Sequence, residues 1–275
     1  MSSVSTRTLE VTGIGRVEVT YADQGTGRVF LLLHGGAGPV SMSSFADLLS
    51  RDRAARVLTP THPGFMGTSR LEALRDVKGL AVLYVALIED LELFDVTIIG
   101  NSVGGWIAAE VAILNSPRVS AVVIMDAVGI YVDGHPVADV STKTFPEIQS
   151  LSYFEPEKFR IDTTAFSDAQ RAMMAGNFAT LSLYAGGSSM FDPTLRSRLG
   201  TIRVPTLVIW GESDGIADVQ YGRAYAAAIS GAEFVPMERT GHLPQLEAPD
   251  RLLPLVYGFA SSLPPSLDGG RTSGV

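Results

Sequence analysis

The chain has 275 residues, 46% of them apolar and 18% charged, with a net charge of −8 and no cysteine. No run of Lys and Arg is available to meet phosphates, which argues against nucleic-acid binding, and the missing cysteines remove disulfides and thiolate metal sites. The first ten residues lack an apolar leader core and no apolar run reaches bilayer-spanning length, so a cytoplasmic chain without membrane attachment is expected.

In chain order, Thr6 to Gly13 and Arg16 to Ala22 alternate in polarity and predict an antiparallel hairpin at a sheet edge. Val29 to Leu33 is apolar throughout, as a strand covered on both faces is. A glycine loop follows, His34-Gly35-Gly36-Ala37-Gly38-Pro39. It lacks the Gly-Lys-Ser/Thr of a phosphate-binding loop, and Ser41 stands where a dinucleotide fingerprint needs its third glycine. A short helix is predicted over Phe45 to Leu49, a strand over Ala55 to Thr59, a Pro/Gly loop over Pro60 to Ser69, and a helix over Val77 to Phe94.

Val96 to Ile99 then runs into Gly100-Asn101-Ser102-Val103-Gly104-Gly105, with small, helix-compatible residues after it. This reads as a strand, a sharp turn with a serine at its tip, and a helix; a serine there either caps the helix or presents its hydroxyl outward. Val119 to Met125 is another buried strand, ending in Asp126. Strands alternating with helices predict an α/β fold with a mostly parallel, doubly wound sheet flanked by helices.

Strand signals vanish over residues 131–199. Ser167-Asp168-Ala169-Gln170 is a capping box, and Met174, Phe178, Leu181 and Ala185 share one helical face. An inserted helical lid is expected, whose aromatic and methionine side chains either line an apolar pocket or anchor the lid. The expected organisation is a core domain of 1–130 and 200–262, the lid of 131–199, and a flexible tail of 263–275. Pro205 to Trp210, Tyr221 to Ile229, Glu233 to Met237 and Arg251 to Ser261 complete the core as strand, helix, strand and helix.

A serine hydroxyl needs a base to become a nucleophile, and the base needs a partner that fixes its tautomer. Of the four histidines, His242 follows the last strand, while His34 and His62 read as structural. Asp214 follows the preceding strand, with Asp218 as a nearby rival. The order Ser102, Asp214, His242 places all three after strands on one sheet edge.

From Val29 to Phe259 the chain resembles the α/β-hydrolase superfamily, on His34-Gly35-Gly36, Gly100-Asn101-Ser102-Val103-Gly104-Gly105, Gly211-Glu212-Ser213-Asp214 and Gly241-His242. The resemblance implies that Ser102 attacks a carbonyl, His242 acts as base and then acid, and Asp214 orients the imidazole. It also implies an oxyanion hole from the backbone N–H groups of Gly36 and Val103, and it calls for no cofactor and no metal. The two glycine loops are similar to those of meta-cleavage product hydrolases, which cut carbon–carbon bonds; Leu243 departs from the tryptophan typical there, and no lid arginine is assigned to a substrate carboxylate. A serine at the turn departs from the aspartate of the epoxide hydrolase and haloalkane dehalogenase branches. The expected reaction is hydrolysis of a carboxylic ester of a small or medium apolar molecule through acyl-Ser102. The alternatives are C–C hydrolysis of a vinylogous diketone by the same residues, or a small-molecule receptor or lyase on the same fold.

Overall fold

A computed structural model of the chain describes residues 3–263. The expected tail, apart from Leu263, lies outside the described residues. Eight strands form one sheet: β1 (Ser3–Val11), β2 (Gly15–Gln24), β3 (Arg28–Leu33), β4 (Ala55–Thr61), β5 (Val96–Asn101), β6 (Val119–Met125), β7 (Thr206–Gly211) and β8 (Glu233–Met237). Their order is β1-β2-β4-β3-β5-β6-β7-β8. β1 and β2 form the expected hairpin, β2 runs antiparallel to β4, and every other pairing is parallel.

The helices are α1 (Val40–Asp52), α2 (Val77–Asp90), α3 (Val103–Ile113), α4 (Phe145–Ser152), α5 (Asp168–Tyr184), α6 (Leu195–Arg198), α7 (Val219–Ala227), α8 (Pro244–Glu247) and α9 (Pro249–Ser262). The unbroken apolar strands are explained by two cores, one on each face. Phe30, Leu32, Ile99, Val123, Met125, Leu207 and Ile209 pack with Phe45 and Leu49 of α1 and Leu252 and Val256 of α9. Their neighbours Leu31, Leu33, Ile98, Val122, Ile124, Val208 and Trp210 pack on the opposite face with Leu83 and Tyr84 of α2, Ile107 of α3 and Tyr221 of α7. Successive strand residues point to opposite faces, so both parities must be apolar.

The chain leaves β3 for β4 on one side and returns to β5 on the other. The strand order therefore reverses between β3 and β5. A crevice at such a switch point is where open α/β sheets place their ligands. The stretch from β6 to β7 contributes no strand to the sheet; it holds α4, α5, α6 and short 3₁₀ turns. α1 is longer than the predicted Phe45–Leu49 because its first turn, Val40-Ser41-Met42, carries no periodic signal.

Candidate active site

Ser102 stands between β5 and α3 with φ 60° and ψ −123°, a conformation that a side-chain-bearing residue adopts only when its surroundings force it. Its carbonyl accepts from the N–H groups of Gly105 and Trp106 and so starts the helix, while its hydroxyl makes no capping bond. The capping alternative is thereby set aside. The turn closes because Gly100 and Gly104 meet: a Cβ on Gly100 would lie 2.0 Å from the Gly104 carbonyl oxygen. The loop after β3 presses on the serine, since a Cβ on Gly35 would come within 2.7 Å of Ser102 Cβ.

Asp214 follows β7. Its Oδ1 accepts from the N–H groups of Ile216 (2.7 Å) and Ala217 (3.1 Å), and its Oδ2 lies 2.8 Å from His242 Nδ1. An Nδ1–H held by the carboxylate leaves Nε2 of His242 as the basic nitrogen. Ser102, Asp214 and His242 are 8%, 5% and 6% exposed, so the pair works in a shielded environment where electrostatic interactions are strong. The rival Asp218 is elsewhere: it caps α7 by accepting from Gln220 and Tyr221 N–H, and it pairs with His135 at 2.7 Å.

The loop of His242 is tied down from two sides. Asn101 Nδ2 donates to the His242 carbonyl at 2.8 Å, and Gln245 Nε2 donates to Asn101 Oδ1 at 3.1 Å. The residue just before the serine thus holds the histidine loop to the sheet. From the other side, His242 N–H donates to Ser152 O and Gly215 N–H donates to Leu151 O, so the end of α4 holds both loops.

His34 and His62 are wholly buried and stacked, with ring centroids 3.7 Å apart. His34 Nε2 accepts from His62 N–H, His62 Nε2 faces His34 O, and His62 Nδ1 faces Tyr84 Oη. Burial pushes the His62 pKa down to about 4, and burial together with His62 lowers that of His34 well below its usual value. Both are neutral braces beneath the glycine loop, as expected from the sequence.

α5 crosses above that loop. Asn177 Oδ1 accepts from Met66 N–H (2.8 Å), Thr180 Oγ1 donates to Gly64 O (3.2 Å), and Tyr184 Oη donates to Pro63 O (2.8 Å). Leu181 lies on Gly36, where a Cβ would be 2.7 Å from Leu181 Cδ2. Of the expected stripe, Leu181 and Ala185 are buried, whereas Phe178 is 39% exposed; Asn177, Thr180 and Tyr184 complete the inward face of α5. The capping box of Ser167 and Gln170 is present. Upstream, Tyr153 and Phe159 stack on each other, centroids 4.7 Å apart.

Residues 30–255 match the model of the "Alpha/beta hydrolase family". The chain belongs to that family. It is 26% identical over 265 residues to the 2-hydroxy-6-oxo-6-(2'-aminophenyl)hexa-2,4-dienoic acid hydrolase of Metapseudomonas resinovorans, covering 90% of this chain and 89% of that one. It is 29% identical over 281 residues to the 2-hydroxy-6-oxononadienedioate/2-hydroxy-6-oxononatrienedioate hydrolase of Paraburkholderia xenovorans, covering 90% and 92%. The crystal structure of a meta-cleavage product hydrolase from Pseudomonas fluorescens superposes with a TM-score of 0.73 at 21% identity, covering 93% of this chain and 97% of that one. Among the described residues, no helix is long and apolar enough to cross a membrane.

Three residues around these side chains were given no such place by sequence reasoning. Asn101 carried its signal openly, as a buried polar residue beside the turn serine. Leu181 was placed on one helical face, but its contact with Gly36 gave no sign, because it joins segments 145 residues apart in sequence, between the sheet and the insertion. The third is Asp126, at the end of β6. It is wholly buried, has φ 45°, and its Oδ1 accepts from Gly211 N–H at 2.8 Å. An acidic residue directly after an apolar strand, on the same edge as Asp214, was the available sign.

Proposed function

We propose that this chain is a serine hydrolase that cleaves a carbon–carbon bond of a vinylogous diketone of the meta-cleavage type. Ser102 is the nucleophile, His242 the base and Asp214 its orienting partner, with the N–H groups of Gly36 and Val103 as the oxyanion hole. What supports the reaction class is that relatives matched over about nine-tenths of the chain are named for 2-hydroxy-6-oxo-dienoates. What supports the roles is the 2.8 Å Asp214–His242 bond on the edge that carries the strained Ser102.

In this reading Ser102 Oγ adds to the ketone carbon and His242 takes the hydroxyl proton. The adjacent C–C bond breaks as its electron pair moves into the conjugated enone, and the resulting dienolate takes the proton from His242. Water then cleaves acyl-Ser102, with His242 accepting the water proton and returning it to Ser102 Oγ. Each oxyanion-hole donor contributes about 3–4 kcal/mol to the transition state, by analogy with a serine protease. Residues 131–199 serve as the lid over this crevice.

Hydrolysis of a carboxylic ester is a second reading, favoured by one observation. Four of the six Lys and Arg side chains of residues 131–199 pair with acidic side chains: Lys158 with Glu155, Arg160 with Glu157, Arg171 with Asp168 and Arg198 with Glu110. None of these is poised for a substrate carboxylate. The test is turnover of 2-hydroxy-6-oxo-6-(2'-aminophenyl)hexa-2,4-dienoic acid beside a p-nitrophenyl ester series, by wild type and Ser102→Ala. Serine-dependent loss of the dienoate chromophore, faster than any ester turnover, upholds C–C cleavage. Serine-dependent turnover of esters alone moves the assignment to the second reading.

A further inference from the structure

Behind the Asp214–His242 pair lies a second carboxyl. One oxygen of Asp126, one oxygen of Asp214 and one ring nitrogen of His242 all lie within 4.8 Å of one another, and all three residues are buried. Asp126 Oδ2 has no hydrogen-bond partner. The two carboxyls are unequally served: Asp214 accepts two backbone N–H bonds and the imidazole, whereas Asp126 accepts only from Gly211 N–H. Two buried carboxylates this close cannot both be ionised cheaply, so the poorly served one keeps its proton. Burial, reinforced by the charges of Asp214 and Glu247, holds Asp126 protonated well above the usual carboxylate range.

The groups facing Asp126 are Asp214 from the β7 loop, and His242 and Glu247 from the β8 loop and α8. Glu247 is itself occupied by the N–H groups of Glu155 and Gly241. Asp126 is therefore a neutral acid beside the one residue that fixes the tautomer of His242.

We propose that Asp126 is a reserve positioning residue for His242: where Asp214 cannot carry the charge, Asp126 ionises and takes over the Nδ1–H. Removing the Asp214 charge removes a repulsion that keeps Asp126 neutral. The carboxyl then needs to move at most about 2 Å to reach hydrogen-bond distance of the ring. The inference rests on the assignment of Ser102 and His242 above, but not on the substrate class.

The experiment is the second-order rate of labelling by diisopropyl fluorophosphate, which needs no knowledge of the substrate. Ser102 Oγ bonds phosphorus, fluoride leaves, and His242 passes the hydroxyl proton to water. Unaltered labelling of Ser102→Ala would refute the nucleophile assignment itself and is thus separable from failure of the present inference. An unaided acid-to-amide change next to a catalytic histidine costs about 10⁴-fold. With Asp126 in reserve, Asp214→Asn is expected to lose only about 10- to 100-fold, and its rate is expected to climb with pH as Asp126 ionises. Asp126→Asn/Asp214→Asn should fall to the unaided level of about 10⁴-fold, a loss well beyond the product of the two single losses. Simple multiplication of the two single losses overturns the proposal. So does an Asp214→Asn rate with the same pH profile as wild type, a result that requires no change at Asp126.

Discussion

The Tyr184 hydroxyl donates to the Pro63 carbonyl at 2.8 Å across 121 residues of sequence, joining the insertion to the loop after β4. Together with Thr180 and Asn177, two inward turns of α5 are stitched to successive residues of one loop. These bonds hold α5 against that loop at three points along the helix. A buried hydrogen bond contributes about 1 kcal/mol, so Tyr184→Phe should raise the open fraction of α5 about fivefold. Amide exchange over residues 168–184 should accelerate by that factor while exchange of β5 stays unchanged. Equal acceleration in both would mean global destabilisation and would refute a local clamp.

Gly36→Ala separates crowding from chemistry. The added methyl meets Leu181 Cδ2, a flexible side-chain end rather than backbone. Turnover by Gly36→Ala is expected to drop about tenfold with little change in melting temperature, because the methyl lifts α5 from the loop. Leu181→Ala in the same chain should recover most of that loss. If the double variant is no better than Gly36→Ala, the defect lies in the loop's own N–H geometry and not in the contact.

How far the sequence could be read follows from the range of each signal. β3, β5, β6 and β7 were legible because burial on both faces demands apolar residues at both parities, and Ser102, Asp214 and His242 could be placed on one sheet edge because they lie in the segments that follow β5, β7 and β8. α8 was passed over, being only four residues long with a proline at its start. The inward face of α5 was read only in part: Leu181 and Ala185 lie on it as expected, but Phe178 is exposed, and Asn177, Thr180 and Tyr184, whose polar tips reach loop carbonyls and an N–H, complete the face. Apolar spacing cannot register a helix docked by hydrogen bonds. Asp126 was visible as a residue but not as a partner, since its meaning depends on distance to Asp214. The ester expectation was drawn from two departures, Leu243 and the unassigned lid arginine, although the glycine loops already resembled those of meta-cleavage product hydrolases; the relatives matched over most of the chain favour C–C hydrolases.

The buried histidines give the fold an acid limit. His62 titrates at about 4 when folded against about 6.5 unfolded, and His34 is shifted in the same direction. Below pH 6.5 the unfolded chain binds protons that the folded chain refuses, so stability falls as pH drops through this window. His62 alone accounts for about 3 kcal/mol between pH 6.5 and 4, and above pH 7 the effect is absent. The urea midpoint should therefore decline steeply from pH 6.5 to 4.5, and less steeply in His62→Gln. Parallel pH profiles for the two proteins would contradict this account.

Arg198 and Glu110 form a two-pronged ion pair, each contact 2.6 Å, under the junction of α3 and α6. Glu110 is only 4% exposed. Removing the arginine strands a carboxylate in the core, which costs about 3–5 kcal/mol. Arg198→Ala should be destabilised by roughly that amount, whereas Arg198→Met/Glu110→Gln, which strands no charge, should recover most of it. Urea unfolding of the three proteins decides the matter: equal losses would show that packing of the arginine stem, rather than the stranded charge, is what counts.

Ser102 sets stability against function. Its φ of 60° and ψ of −123° are costly for any residue with a Cβ, by about 1–3 kcal/mol, and cheap for glycine. Ser102→Ala deletes the hydroxyl but keeps the strain, while Ser102→Gly deletes both. Glycine returns about 0.5–1 kcal/mol of that gain through the greater freedom of its unfolded chain. The glycine variant is therefore expected to be more stable than the alanine variant by about 1 kcal/mol, with neither labelled by diisopropyl fluorophosphate. Ordinarily the reverse holds, since alanine outranks glycine at nearly every non-terminal position. A higher urea midpoint for alanine would mean that the turn is relaxed and that the outward serine costs the fold nothing.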